Sequence, residues 1–238
     1  MNMNNKKKAF TLSEVLITLS LIGVLAAMSI PTIGYNVHKR AQLSEFKTAY
    51  SIISSTYESL NITNGSVYPC YTVADERKRN EEGYNHTLRS QVSIETRGCK
   101  KFEVDYMRAL GVSHKCEKDI YTEGCIPKRY AKLNDFSNYE KAYLLKNGMI
   151  IIPSTNGMIL FALDINGRKG PNQWGKDIFA FSPMVTSSEI SASTGKPIVT
   201  KVELLAADED RVAPYFQGGK DVKTTTEMIY EAVGRTFK

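Results

Sequence analysis

Three groups of residues in this chain have types and spacings that could do chemistry. Glu14 is the only charged residue in the apolar run from Phe10 to Pro31 (FTLSEVLITLSLIGVLAAMSIP). A carboxylate inside a membrane-length segment costs on the order of 2.5–3.5 kcal/mol for an Asp at mid-helix and less near an end, so its presence asks for a role. The four cysteines, Cys70, Cys99, Cys116 and Cys125, all follow that run. An even count on the side of the chain that would be exported reads as two disulfides made in an oxidising compartment. Asp164, Asn166 and the carbonyl of Arg168 alternate as the early oxygen ligands of calcium loops do, with Asp177 on the far side, which makes calcium a candidate cofactor. Arg168 puts a cation where such loops often carry another carboxylate, and Asx-Gly turns join strands without metal, so a plain turn is the competing reading.

No enzyme signature accompanies these residues. His38, His86 and His114 show no HExxH or paired-ligand spacing, and the chain has no GxSxG, GxGxxG or P-loop. Zinc on His114, Cys99, Cys116 and Cys125 is disfavoured because thiols outside the cytosol oxidise. Tyr139, Tyr143, Phe179 and Phe181 read as core aromatics, whereas Trp174, inside a polar loop, is the aromatic to test for partner contact.

The elements that must position these residues begin with the apolar run. MNMNNKKK precedes it, and three lysines before an apolar stretch predict a cytoplasmic N-terminus. A helix over Phe10–Pro31 would reach about 33 Å, close to the hydrocarbon thickness of a bilayer. A secretory signal shares these features, and Ala26-Ala27-Met28-Ser29 could serve as its cleavage site. That alternative would make the mature chain a Sec-exported periplasmic binding protein or hydrolase. Beyond the run, Leu43, Phe46, Tyr50, Ile53, Tyr57 and Leu60 recur at spacings of 3 and 4, which predicts one helix from about Phe10 to about Leu60 whose second half packs on a globular head. Asn61–Ser66 (NITNGS) carries stop signals. His38, Lys39 and Arg40 form a basic cluster just past the apolar run, a candidate for headgroup contact.

In the head, residues 67–97 read as a solvated loop of mixed charge around Asp75–Asn85. Lys100–Leu110 predicts a helix through Phe102, Tyr106 and Leu110. Strands are predicted at Ala142–Leu145, Met149–Ile152, Met158–Leu163 and Ile178–Phe181, the first two joined at Asn147-Gly148. Pro183–Lys220 predicts loops with at most one strand at Ile198–Ala206. Thr224–Phe237 predicts a closing helix with Ile229, Val233 and Phe237 on one face. Four cysteines allow three pairings; the eight-residue gap between Cys116 and Cys125 favours joining these two, leaving Cys70 with Cys99.

Lys8-Ala9 followed by Phe10-Thr11-Leu12-Ser13-Glu14-Val15 resembles the prepilin signature of type IV pilins and type II secretion pseudopilins. The resemblance implies cleavage between Ala9 and Phe10 by a prepilin peptidase and methylation of the new amine, with Ala9 standing where the family usually has Gly. It implies that Glu14 meets the Phe10 amine of a neighbouring subunit during assembly, and that Gly23 and Pro31 are points where the helix can unwind. The Asx- and Gly-rich stretch from Gly157 to Phe181 resembles a loop of many pseudopilins and related pilins. The implied fold is α+β and pilin-like: a long N-terminal helix, transmembrane in its first half, packed on an antiparallel sheet with disulfide-bonded loops. The implied organisation is a leader at 1–9, a transmembrane and polymerisation helix at 10–33, its amphipathic continuation at 34–60 and a head at 61–238. The implied setting is a single pass of the inner membrane with the head in the periplasm, then a pseudopilus or surface filament. Expected partners are like subunits in a homo- or hetero-polymer, the peptidase, and an inner-membrane assembly platform with its ATPase. The formal charge of +6 includes Lys6, Lys7 and Lys8; without them 28 basic residues face 25 acidic ones, too small an excess to indicate nucleic-acid binding.

Overall fold

The computed structural model describes residues 10–73, 93–118, 120, 122–126, 141–154, 157–207 and 222–234, apart from the side chains of residues 30–36. The leader with Ala9, the charged segment Asp75–Asn85, His86, Tyr139, Phe237 and the Pro31 side chain lie outside the described residues. The chain divides into two compact units, Met1–Gln42 and Leu43–Lys238. Helix α1 (Leu12–Asn64) supplies residues to both. It ends where Gly65, at φ +68°, adopts the left-handed conformation that glycine accepts without a Cβ clash.

Within the first unit, Leu12–Ser29 has a mean hydropathy of 1.9 and none of it is buried. It is long and apolar enough to cross a membrane by length and composition. Within the second unit, α1 turns Phe46, Ala49, Ile53 and Tyr57 fully inward, while Leu43, Tyr50 and Leu60 pack at the margin of the same core. The aromatic contacts are specific: Phe46 meets Phe179 edge-on at 4.8 Å, and Tyr57 meets Phe102 edge-on at 5.3 Å.

Helix α2 (Cys99–Leu110) buries Phe102, Tyr106 and Met107, and the Tyr106 hydroxyl donates to the Ile53 carbonyl at 2.7 Å, so the two helices are tied as well as packed. Its Glu103 is buried and accepts from the Tyr143 hydroxyl, with Lys141 Nζ 3.5 Å away. Burial, then the hydrogen bond to Glu103 and its negative charge, push the Tyr143 phenol well above its ordinary range.

The head is an eight-stranded sheet made of β1 (Tyr71–Val73), β2 (Ser93–Glu95), β3 (Val112–Cys116), β4 (Ala142–Leu145), β5 (Ile150–Ser154), β6 (Gly157–Asp164), β7 (Ile178–Ile190) and β8 (Pro197–Ala206). The order is β2-β1-β7-β6-β5-β4-β3, with β8 also paired to β7. The pairings are antiparallel except that β1 runs parallel to β7, Thr72 opposite Met184. The sheet is therefore mixed where a wholly antiparallel one was expected. Both faces are covered, which explains why its central strands read as continuous apolar runs. Phe161, Leu163, Phe179, Phe181 and Ile151 enter the core that contains α1 and α2. Their neighbours Ala162, Ala180, Ile178, Ile150 and Ile152 enter a second core on the other face, as strand alternation requires.

Four expectations need correction. β1 and β2 lie in the stretch read as a solvated loop, and β3 was not foreseen; three- and five-residue strands carry too little periodicity to be seen alone. β7 runs nine residues past Phe181, through Pro183 to Ile190, and forms a hairpin with β8 across Pro183–Lys220. The Ser- and Thr-rich outer half of that hairpin is exposed, so it lacks the apolar alternation by which strands are recognised. Helix α3 (Thr225–Ala232) buries Thr225 and Met228, with Ile229 and Ala232 partly buried, whereas Val233 is exposed. The inward face is thus offset from the predicted one, because the Thr225 hydroxyl accepts a hydrogen bond from the Ala180 amide and sets the rotation of the helix. A capping box between Thr224 and Glu227 starts it.

Candidate functional site: the N-terminal segment and the Asx-Gly loop

At the start of α1, Thr11 is the N-cap and Glu14 the third helical residue. The Glu14 carboxylate accepts from the Thr11 amide at 2.9 Å and the Thr11 hydroxyl at 2.8 Å, and the Glu14 amide donates back to the Thr11 hydroxyl at 3.3 Å. This is a capping box, satisfying helix N-terminal donors that would otherwise lack partners. Thr-x-x-Glu before an apolar run is its sequence signature, and Thr11-Leu12-Ser13-Glu14 carries it. Phe10 is 87% exposed, one residue before the N-cap. The geometry thus gives Glu14 a partner within its own chain and leaves Phe10 at the surface. Gly23 lies within continuous helix with nothing within 4 Å of where a Cβ would stand, and the backbone at Pro31 is also helical.

Two disulfides join Cys70 to Cys99 and Cys116 to Cys125, the pairing the short gap favours. The first ties the entry to β1 to the first residue of α2. The second closes the loop after β3 over the second core. His114, Cys116 and Cys125 bring their donor atoms within 4.8 Å of one another, but both sulfurs are consumed in the disulfide and Cys99 is bonded to Cys70, so no thiolate remains for zinc.

The loop between β6 and β7 is built around two buried carboxylates. Asp164 Oδ1 accepts from the Asn166 amide at 3.0 Å and the Gly167 amide at 2.6 Å, while its Oδ2 accepts from Asn172 Nδ2 at 3.0 Å. Asp177 accepts from the backbone amides of Asn172 and Gln173, both at 2.6 Å. Asn172, buried and at φ +54°, therefore holds both acids, one through its side chain and one through its backbone. It also donates to the Gly167 carbonyl at 2.6 Å. Burial pushes the Asp177 carboxyl above its ordinary range, against the loop hydrogen bonds that pull it down. Gly167 is obligatory: a Cβ there would stand 2.0 Å from the Gly148 carbonyl oxygen of the β4–β5 turn, and its φ is +65°.

Of the four residues read as cation ligands, Asp164 and Asp177 converge on Asn172, and Asn166 joins them, its side chain hydrogen-bonded to Asp177. Arg168 is exposed, with Nη2 3.7 Å from where a Cβ on Gly124 would stand. The donor types fit a hard cation, because Asn166 Oδ1 and Gln173 Oε1 are buried without a hydrogen-bond partner among the described residues, in the loop that carries the two carboxylates. The loop's own amides already partner both acids, so its closure does not require the ion. Asn172, Gln173 and Gly167 were missed as parts of this site; the only sequence cue was an Asn two residues past Gly170. Trp174 is 5% exposed and belongs to the second core, so it is unavailable as the partner contact it seemed in the sequence. A polar neighbourhood in sequence became an apolar one in space.

Residues 4–30 match the family model of the prokaryotic N-terminal methylation motif, the cleavage motif of type IV pilin and pseudopilin precursors. No curated protein and no solved structure matches the chain. The motif supports a type IV pilin-like or pseudopilin subunit and implies processing by prepilin peptidase and pilin-like polymerisation. The apolar helix and the motif together fit a membrane-anchored, periplasm-facing protein, and the α+β head with two disulfides is consistent with a pilin-like fold.

Proposed function

We propose that this chain is a structural, non-enzymatic subunit of a type II secretion pseudopilus or a type IV pilus. It is cut between Ala9 and Phe10, methylated on Phe10, stored in the inner membrane through residues 10–33 and polymerised through the same helix. Residues 34–60 continue that helix and residues 61–238 form the head, which faces the periplasm. The observation that carries the reading is the coincidence of the methylation motif at residues 4–30 with an apolar helical stretch at Leu12–Ser29, none of it buried. Such a surface has to be covered by lipid or by other subunits. Glu14 is proposed to leave Thr11 and pair with the Phe10 amine of a neighbouring subunit, with Gly23 and Pro31 as the weak points of the helix. The partners are like subunits, prepilin peptidase and an inner-membrane platform with its ATPase.

Intact-mass analysis of the protein from its native membrane tests the processing. A chain starting at Phe10 with one added methyl is expected, whereas a start near Ser29 would assign it to the Sec-exported class. Imaging of surface filaments in a deletion strain separates a pilus from a periplasmic pseudopilus. In the head, a calcium ion would be held by oxygens of Asp164, Asn166 and Asp177 with the Arg168 carbonyl, and would neutralise the two buried acids. Its binding at 100 times Kd should raise stability by about 2.7 kcal/mol. Thermal unfolding with calcium and with chelator checks this, and coincident curves would remove the ion from the proposal.

A further inference from the structure

Between Glu14 and Glu45 the chain contains no acidic residue, and its cations there are Lys39 and Arg40. Both are exposed on α1, as is His38 beside them. An ion-pair partner on the same helix lies three or four residues away. For Lys39 these positions hold Tyr35, Asn36, Gln42 and Leu43; for Arg40 they hold Asn36, Val37, Leu43 and Ser44. None is a carboxylate, so the helix offers neither cation a counter-charge.

The axial position of the pair says what could. The apolar stretch that begins at Phe10 extends to Ile33, and Lys39 and Arg40 follow it by six and seven residues, about 9–10 Å along a helix axis. The headgroup layer on each side of a bilayer is about 5–8 Å thick. Side chains on a helix slant toward its N-terminus, here back toward the membrane, and long cationic chains snorkel by several ångströms. Their charged ends consequently fall at the height of the outer-leaflet phosphates. The residues occupy neighbouring positions 100° apart around the helix, forming part of a collar.

We propose that Lys39 and Arg40 are a binding site for the headgroups of anionic phospholipids, with phosphatidylglycerol as the class of ligand, in the leaflet on the head side of the membrane. The site holds the stored subunit at a fixed depth and enriches anionic lipid around it. It rests on the reading of Leu12–Ser29 as a membrane span. A cation at an anionic surface gains roughly a fivefold preference per residue, so two together imply an enrichment of about five- to thirtyfold at low salt.

The test uses the mature full-length protein in phosphatidylcholine bilayers carrying trace spin-labelled phosphatidylglycerol or spin-labelled phosphatidylcholine. The fraction of each label that is motionally restricted at the protein surface gives the headgroup preference. A preference of about fivefold or more for phosphatidylglycerol is expected at low salt, falling toward one in 0.5 M salt and in the Lys39→Gln/Arg40→Gln variant at low salt. Equal restriction of the two labels by the wild type would overturn the site, as would a preference that survives the double substitution. Absence of any restricted lipid would show that the helix does not span, a failure of the underlying reading distinct from a span without headgroup preference.

Discussion

Glu14→Ala subunits are expected to insert into the membrane at normal levels and yet to lower filament yield by about tenfold or more, with Glu14→Asp retaining more assembly than Ala. The reason is electrostatic. Cleavage before Phe10 exposes an α-amine with a reference pKa near 8, hence largely cationic at neutral pH and still so after methylation. Entering the apolar interior of a filament strips water from that amine and from the carboxylate. An unpaired charge is then far costlier than a paired one, so the pair favours the axial register in which each amine meets an acid. The structure adds a rival explanation, because the same carboxylate caps its own helix through Thr11. Thr11→Val separates the two roles: it removes the hydroxyl of the capping box and leaves Glu14 in place. Pairing between subunits predicts near-normal filaments from Thr11→Val and few from Glu14→Ala. Equal losses would make capping the function of Glu14, and normal filaments from Glu14→Ala would dismiss both roles. Yield is read by shear fractionation or imaging, with subunit levels in the membrane as the control.

Asp164→Ala is expected to destabilise the head by about 3–5 kcal/mol, the largest effect of any single substitution in the loop. The carboxylate is fully buried and accepts from three donors, the amides of Asn166 and Gly167 and the side chain of Asn172. Truncation removes that acceptor from all three, although Asn172 Nδ2 keeps its hydrogen bond to the Gly167 carbonyl, and each donor left open carries a desolvation penalty of about 1–3 kcal/mol, reduced where water enters the space. Asp164→Asn should cost less, since one amide oxygen can still serve the two backbone donors while the NH₂ group opposes Asn172 Nδ2. Guanidinium unfolding of the full-length protein in detergent, with disulfides intact, gives the difference through the midpoint. A loss below about 1 kcal/mol would show that the loop tolerates open donors and is not held by its acids.

Glu14 and Asp164 belong to different units of the chain, and their surroundings differed accordingly in how far they were legible in sequence. The N-terminal segment could be read because its information is local. Hydropathy, a lone acid and the basic residues before the run are properties of consecutive residues, and helix periodicity carried the prediction on to Tyr57 and Leu60. The strands from Ala142 to Phe181 were legible for a related reason: each is apolar on both faces, and Asn147-Gly148 forms the turn, its Gly148 at φ +91°. The outer half of β7 was not, since Thr186 to Glu189 draws its strand character from pairing with β8, a partner about ten to fifteen residues away. The face of α3 was missed because the Ala180 amide, distant in sequence, selects Thr225 as an inward residue.

What the sequence determined by itself is the character of the segment from Phe10 to Ile33 and the presence of a cystine-stapled α+β head, because both follow from composition and short-range spacing. Only the tertiary structure decided how Asp164 and Asp177 are satisfied, that Asn172 holds them together, that Trp174 is interior and that the sheet is mixed. These depend on which groups meet across long stretches of chain, and a buried donor or acceptor is satisfied by whatever the fold brings to it, not by its neighbours in sequence.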